Sequence, residues 1–519
     1  MSIFKNIKSD LPASVVVFFV ALPLCLGIAL ASGAPLFSGL IAGIVGGIIV
    51  GILSGSKIGV SGPAAGLAAI VFSAIDDLKG FDIFLLAVVL GGVIQLILGI
   101  ARAGVIAYFF PSSVIKGMLT GIGIIIIKKQ IPYFFGHERP RTVGFLEFFS
   151  TLDEISLSPI IIGLVGLAIL ILWQQVLTKK AKIFQLVQGP VVAVVIGIVY
   201  YFITSGNEGL GLKVNELVSV PVPDTVDSFL GQFTFPDFSH IGNKDVWIVA
   251  FTIAVVASLE TLLCVEATDK LDPDKNVTPT NRELFAQGAG NIVSGLIGGL
   301  PITQVIVRSS ANIQSGGKTK ISAVVHGFFL LISVISIPTL LNKIPLSVLA
   351  AILFVVGFKL AKPSTFVNMY KAGWKQFVPF IATVLPMAIV GDLLLGIGLG
   401  LAVGIVIILI NSYQNSHFLH IEDTDNNGKH RMKITLAEEV TFFNKGAILK
   451  ELDEIPEETY LTLDVRKTRY LDPDIIEILE DFSEKSKNKN IDIHLISERG
   501  VVENPDSYIQ FFKLRSKKA

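Results

Sequence analysis

The sequence predicts an α-helical polytopic membrane protein with about 14 membrane segments in two runs of seven, followed by a small cytoplasmic α/β domain. Three observations carry this. Of the 519 residues, 52% are hydrophobic and only 16% charged, where a soluble chain would carry about 25% charged residues. The apolar residues come in long blocks, such as 13–31, 84–100 and 160–173, and about 20 apolar residues cross the hydrocarbon core as a helix. Past Asn411 the composition turns charged and mixed.

Breaks at glycine, proline and charge place the segments at 12–31, 36–53, 61–75, 82–101, 112–131, 157–177, 186–203, 246–266, 281–299, 304–315, 320–337, 345–361, 377–390 and 393–411. The first apolar run outlasts a signal peptide and contains Pro23 and Gly27, with no small-residue cleavage pattern, so it reads as a span. An even number of spans puts both termini on one side. That side holds Lys5, Lys8, Lys57, Arg102, Lys179, Lys180, Lys182, Lys270, Lys275, Lys318 and Lys320, among others. The opposite side has its longest loop, 204–244, rich in acids: Glu208, Glu216, Asp224, Asp227 and Asp237. The positive-inside rule makes both termini cytoplasmic. The membrane domain covers 1–412. The second domain covers 417–519, with strand patterns at 430–443, 460–465 and 491–496 and helical patterns at 474–485 and 507–514.

The net charge of zero says nothing about partners. Cys25 and Cys264 sit in apolar segments and suggest neither a disulfide scaffold nor a metal site; they read as small apolar helix residues. No catalytic constellation is visible, so no enzyme is expected, and nothing suggests nucleic-acid binding.

Segments 61–75 and 304–315 are too short to cross alone, and each is third in its run of seven. The first opens with a few extended residues through Val60, then Pro63 at a first helical turn. In the second, Val305, Ile306 and Val307 favour an extended backbone, and Ser309 and Ser310 can cap a helix. Paired short segments in matching positions point to a transporter site built from inverted repeats. A helix that starts at mid-membrane aims unpaired N–H groups and a positive dipole end at the bilayer centre, a place for an anion. Arg308 adds a full charge there. Kinks for close helix packing would explain the glycines but not the arginine, which is costly in a membrane and marks a pathway.

Glu260 lies mid-span in AVVASLETLLCVEATDK. It is suited to carry a coupling proton, to bind sodium, or to neutralise Arg308. Glu266 reads as an interface residue, Lys116 as snorkelling, Gln95 as bonding a neighbouring helix, His326 as structural, and Asp392 as lying at the outer interface.

These residues resemble the SulP anion transporters over nearly the whole chain. The resemblance is carried by SDLPASVVVFFVALPLCLGIALASG, GVSGPAAG, Glu260 and GGLPITQVIVRSSAN, and by a tail similar to the STAS fold with TFFNKGAIL and YLTLDVRKTRYLDPD. It implies a 7+7 inverted repeat, a core domain moving against a gate domain in an elevator cycle, and a homodimer in a bacterial-type plasma membrane. The substrate would lie between Pro63, Ala64 and Ala65 on one side and Val307, Arg308 and Ser309 on the other, flanked by residues 22–26, including Leu24 and Cys25, and by Glu260. Three departures stand out: Leu24 where many members have glutamine, Ala64 after the proline, and Glu266 where many have a basic residue. The site is therefore poor in polar side chains, and backbone N–H groups and Arg308 carry more of the binding. Asp472-Pro473-Asp474-Ile475 replaces the Asp-Ser-Ser-Gly phosphorylation turn of related soluble proteins, which leaves a dimerisation or docking role.

The function expected is secondary transport of bicarbonate or sulfate, coupled by symport to Na⁺ or H⁺; the sequence does not choose the anion. Thr261 and Thr303 are the hydroxyls available near Glu260 for sodium, but Cys264 and Ile306 stand where further hydroxyls would serve, so the balance favours a proton on Glu260. Besides that coupling ion no cofactor is expected. Two other readings stand: an anion-sensing or motor-like protein with little net transport, and a nucleobase permease of the same architecture.

Overall fold

The computed structural model describes residues 6–508 apart from 105–110, 138–155, 182–183, 185–187, 208–209, 223–230, 392, 415–416, 423–429, 499 and 506. Lys5, Lys182, Glu208, Asp224, Asp227, Asp392 and residues 509–514 of the expected closing helix lie outside the described residues. The chain divides into two compact units, Met1–Leu401 and Ala402–Ala519.

In the first unit α1 spans Ile7–Ala31 and α2 Leu36–Leu53, with a π turn at Gly46–Val50. The strand β1, Ser61–Pro63, leads through a 3-10 turn at Ala65–Leu67 into α3, Ala68–Asp77. There follow α4 (Phe81–Ile100), α5 (Ser112–Phe134), α6 (Leu157–Lys180), α7 (Gly189–Thr204), α8 (Lys244–Leu271) and α9 (Thr280–Leu296). The strand β2, Ile302–Gln304, runs into α10, Ile306–Gln314, and then come α11 (Ile321–Ser336), α12 (Leu346–Leu360), α13 (Pro363–Lys371) and α14 (Trp374–Ile389); the residues of α15 (Leu393–Gln414) are shared between the two units.

Six described helices are long and apolar enough to cross a membrane, counting α12 and α13 together, and four more apolar helices are shorter. Their outward faces are those of a lipid-immersed protein. On α7, Val195, Val199, Phe202 and Ile203 are exposed at helical spacing, while Ala193, Val194 and Gly197 are buried.

The helices pack in two groups. The first contains α1, α2, α4, α8, α9, α10 and α11; α5, α6, α7, α12 and α14 form the second, and α1 also touches α12. Small residues set the first group's spacing. A Cβ on Gly39 would lie 2.1 Å from the Cys25 carbonyl oxygen, and one on Gly43 2.5 Å from the Cys25 sulfur, so α2 lies against the unbroken backbone of α1. Asp10, fully buried in the first turn of α1, accepts from the backbone N–H groups of Lys318 (2.7 Å) and Thr319 (3.1 Å) and ties down the approach to α11.

The second unit holds a five-stranded sheet in the order β3-β4-β6-β8-β9. These are His417–Glu422, His430–Leu436, Thr459–Asp464, Asp492–Ser497 and Gly500–Glu503. The central pairs β4–β6 and β6–β8 are parallel and the edges antiparallel. A second small ladder pairs β5, Glu439–Val440, with β7, Tyr470–Leu471. The amphipathic helix α17, Pro473–Asn488, packs Ile475, Leu479 and Phe482 into a core with Leu461, Leu463 and Leu495, and α16, Lys445–Asp453, adds Ile448 and Leu452. The strand pattern expected over 430–443 is broken: it holds β4, the short β5 and a 3-10 turn at Phe442–Asn444, where Thr441 is the N-cap and donates its N–H to Asn444 Oδ1 at 2.8 Å.

Candidate functional site

The two short segments meet as an antiparallel ladder, Ser61 opposite Gln304, Gly62 opposite Thr303 and Pro63 opposite Ile302, extended by the Val305 N–H bonding the Val60 carbonyl at 2.9 Å. Each strand feeds a helix, so the N-terminal ends of α10 and of the turn before α3 both lie at this ladder. Neither start carries a side-chain cap. Side chains from α8 meet them instead: the Gly66 N–H faces the Glu260 carboxylate and the Ile306 N–H faces the Cys264 sulfur.

The ladder is built by a polar stripe on α9. Asn291 accepts from the Ile302 N–H at 2.5 Å and donates to the Ile302 carbonyl at 3.1 Å and to Gln95 at 2.6 Å; Gln95 in turn donates to Ser258. Gln287 donates to the Ser61 hydroxyl (2.8 Å) and to Glu283 (2.9 Å), and Glu283 accepts from the Ser54 hydroxyl (2.6 Å). Ser294 donates to the Leu300 carbonyl at 2.7 Å. Glu283, Gln287, Asn291 and Ser294 recur at helical spacing, so one face of α9 satisfies a stretch of non-helical backbone in a membrane setting. Gln95 bonds its neighbours as the sequence suggested. The others were missed, although their spacing in NRELFAQGAGNIVSG was visible.

Two details of the short segments differ from expectation. Pro63 ends the strand rather than starting the helix, which begins at Ala65. In the second segment the extended piece is Ile302–Gln304 with Val305, and Ile306 and Val307 are already helical. The ladder register decides this, because the helix starts as soon as pairing ends. Ser309 and Ser310 therefore sit inside α10 and cap nothing. Ser309 donates to the Val305 carbonyl (2.9 Å) and accepts from the Val60 N–H (3.0 Å), fastening the two segments together.

Arg308 is fully buried. Its Nη2 donates to the Cys25 sulfur at 3.3 Å, and its Nε and Nη1 have no partner. The guanidinium lies against Gly62, where a Cβ would come within 2.0 Å of Nη1. No ion pair joins Arg308 and Glu260, so the carboxylate does not neutralise the arginine. Instead the Glu260 carboxylate abuts Gly66, with Oε2 unpartnered. Thr261 accepts from the Gln304 N–H and Thr303 donates to the Gln304 carbonyl, both at 3.3 Å, so both hydroxyls serve β2 rather than Glu260. Ala64 and Leu24 are buried, whereas Ala65, Val307, Ile306, Glu260 and Cys264 keep some exposure. The partly exposed atoms thus gather at the two helix starts. Among the described residues no group of three or more His, Cys, Asp or Glu could hold a metal ion. Glu266 is exposed and pairs with Lys270 at 2.5 Å.

Two larger cavities lie away from Arg308. One of about 1260 Å³ is lined by Leu30, Pro35, Phe72, Tyr133 and Gln232. The other, of about 700 Å³, is lined by Lys116, Glu266, Asp269 and Lys270.

A model of the sulfate permease family matches residues 7–401. The chain is 28% identical over 428 residues to the putative sulfate transporter YvdB of Bacillus subtilis, covering 81% of this chain and 77% of that protein. It is 26% identical over 539 residues to the bicarbonate transporter BicA of Picosynechococcus, covering 98% and 92%. The solved transmembrane domain of a cyanobacterium bicarbonate transporter BicA aligns at TM-score 0.65 and 25% identity, over 76% of this chain and 98% of that one. The overall structure of SLC26A9 aligns at TM-score 0.76 over 95% of this chain and 84% of that one, at 17% identity, a likeness of fold. These relatives are transporters, not enzymes. With the match spanning the membrane unit and both halves of the ladder, the chain belongs to the sulfate permease family, with that family's helical polytopic membrane fold.

Proposed function

We propose that the protein carries a small inorganic oxyanion, bicarbonate or sulfate, across a plasma membrane by secondary active transport, with the anion held between the starts of α3 and α10. The observation that carries this is Arg308: a buried guanidinium with two partnerless nitrogens beside two uncapped helix starts. A buried charge left without a counter-charge costs several kcal/mol, about 3–5 when a partner is removed. An oxyanion offers that counter-charge, and the positive dipole ends of the two helix starts favour it there. Pro63, Ala64, Ala65, Val307, Leu24 and Cys25 wall the site, and Ser309 holds its two halves in register. Relatives named for sulfate and for bicarbonate support the substrate class without choosing within it.

Glu260 carries the coupling proton in this reading. A sodium ion needs several oxygen ligands, and Thr261 and Thr303 are bonded to the Gln304 backbone. The antiparallel ladder suits a 7+7 inverted repeat whose halves enter the membrane from opposite sides. The two helix groups suit an elevator cycle, the group with the ladder moving against the group with α5, α12 and α14. A homodimer, cytoplasmic termini and a docking role for the STAS-like second unit complete the proposal.

The test is reconstitution in liposomes with radiolabelled bicarbonate and sulfate, under a sodium gradient and a pH gradient separately. Uptake of one anion, driven by an inward proton gradient, is expected; no uptake of either sinks the reading.

A further inference from the structure

Phe442 and Phe443 of the second unit are 57% and 55% exposed. Their rings stand edge to face with centroids 5.8 Å apart, so they form one apolar knob. The 3-10 turn that carries them runs straight into α16. That helix already has a core face, made by Ala447, Ile448 and Leu452. On its other side Gly446, Leu449 and Lys450 are exposed. Phe442, Gly446 and Leu449 follow one another along this outer side at helical spacing. Exposed apolar residues gathered on one face, unlike scattered ones, mark a contact surface.

A contact within the second unit shows which way the stripe faces. A Cβ on Gly446 would stand 3.5 Å from Cε2 of Tyr413 and 3.9 Å from its hydroxyl oxygen. Tyr413 lies at the end of α15 and belongs to the same unit. Just before it, α15 exposes Ile405, Val406, Ile408 and Ile410, an apolar surface suited to lipid. The helix has 22 residues, Leu393–Gln414. At 1.5 Å per residue it is about 33 Å long, against a hydrocarbon core about 30 Å thick. Tyr413 thus falls at the headgroup layer, the depth that tyrosine favours. The stripe that touches it faces the same layer. Charge along α16 agrees. Lys445 opens the helix beside the phenylalanines, whereas Asp453 ends it and Glu454 follows.

We infer that Phe442, Phe443 and Leu449 form a membrane-docking face by which the second unit rests on the headgroup layer of the bilayer that α15 crosses. The two phenyl rings enter the boundary between headgroups and acyl chains. Lys450 lays its stem along Leu449 and turns its ammonium to the lipid phosphates. A second copy of the chain fits this face less well. It would have to sit across the middle of the stripe, where Tyr413 already lies on Gly446, whereas lipid already surrounds α15 there. The inference does not depend on which anion is carried, or on whether one is.

The test places p-benzoylphenylalanine at position 442 or 443, one at a time, in the full chain. Each variant is reconstituted in phosphatidylcholine–phosphatidylglycerol vesicles and illuminated, and mass spectrometry identifies what the side chain has captured. Position 501 is the control. Val501 is 60% exposed on β9, the sheet edge opposite β3, and four strand spacings of about 4.8 Å separate those edges. Lipid adducts at 442 or 443 should exceed those at 501 about tenfold or more, a preference of about 1.4 kcal/mol. Either position reaching that ratio supports the inference, so a variant that fails to fold leaves the other to decide. Adducts mainly to a second copy, or mainly to residues 1–401 of the same chain, overturn it in favour of a protein partner. Lipid capture no greater than at position 501 overturns it as well, since that is the result for a face open to water. Anion uptake by the native protein, measured separately, leaves these outcomes unchanged.

Discussion

Arg308 Nη2 donates to the Cys25 sulfur at 3.3 Å, and among the described residues this is the guanidinium's one hydrogen bond. A thiol is a weak acceptor, so Cys25 orients the guanidinium without cancelling its charge. Arg308→Ala should therefore lower uptake at subsaturating anion by about 100-fold or more. Charge-assisted hydrogen bonds are worth about 1.5–3 kcal/mol each, and about 1.4 kcal/mol is tenfold. Cys25→Asp should fold and yet abolish uptake, because a carboxylate at that position neutralises Arg308 from within. Initial rates in liposomes check both.

Gly62→Ala places its Cβ 2.0 Å from Arg308 Nη1, the far end of a flexible side chain. The fold should survive and uptake should fall about tenfold or more, the effect of a loss of about 1.4 kcal/mol. Gly46→Ala differs, since its Cβ meets the Ser61 backbone at 2.6 Å. Overpacking of that kind costs about 1–3 kcal/mol, so the unfolding temperature in detergent should drop as well.

Asn291→Leu should destabilise the protein and stop transport without touching the anion. It removes both bonds to Ile302 and leaves two buried backbone groups unpaired, at about 1–3 kcal/mol each. Thermal unfolding in detergent beside liposome uptake separates this variant from Arg308→Ala, which should affect uptake far more than stability.

Glu260→Gln should uncouple transport. Accumulation against a gradient should vanish under an inward proton gradient, while exchange of labelled for unlabelled anion continues. Accumulation retained in this variant would remove Glu260 as the coupling group.

In the second unit, side-chain bonds from Arg466 hold the Asp464 carboxyl down at about 2, with Lys433 assisting. A folded-state value below the unfolded one gives stability that is present above about pH 4 and is lost as pH falls towards about 2. The sheet signal in infrared spectra of the full chain should fade over that window. Arg466→Ala should move the loss to higher pH.

The membrane class was legible because long apolar blocks admit few alternatives in lipid. The paired short segments, Arg308 and Glu260 stood out because broken helices and charges are costly there. The ladder register was not legible: β-branched Val305, Ile306 and Val307 favour extension, yet pairing with Ser61, Gly62 and Pro63 ends the strand at Gln304. The polar stripe of α9 was overlooked because its residues alternate with glycines and alanines and show their purpose only against Ile302 and Ser61.

By itself the sequence determined that this is a many-span membrane protein with two short, broken apolar segments, an arginine in one of them and a charged tail, since hydropathy and the cost of charge in lipid are local properties. Only the tertiary structure decided what Arg308 meets, and that Ser309 ties the segments together rather than capping a helix. Those outcomes depend on which distant backbone groups are brought within hydrogen-bonding distance, and that is a property of packing.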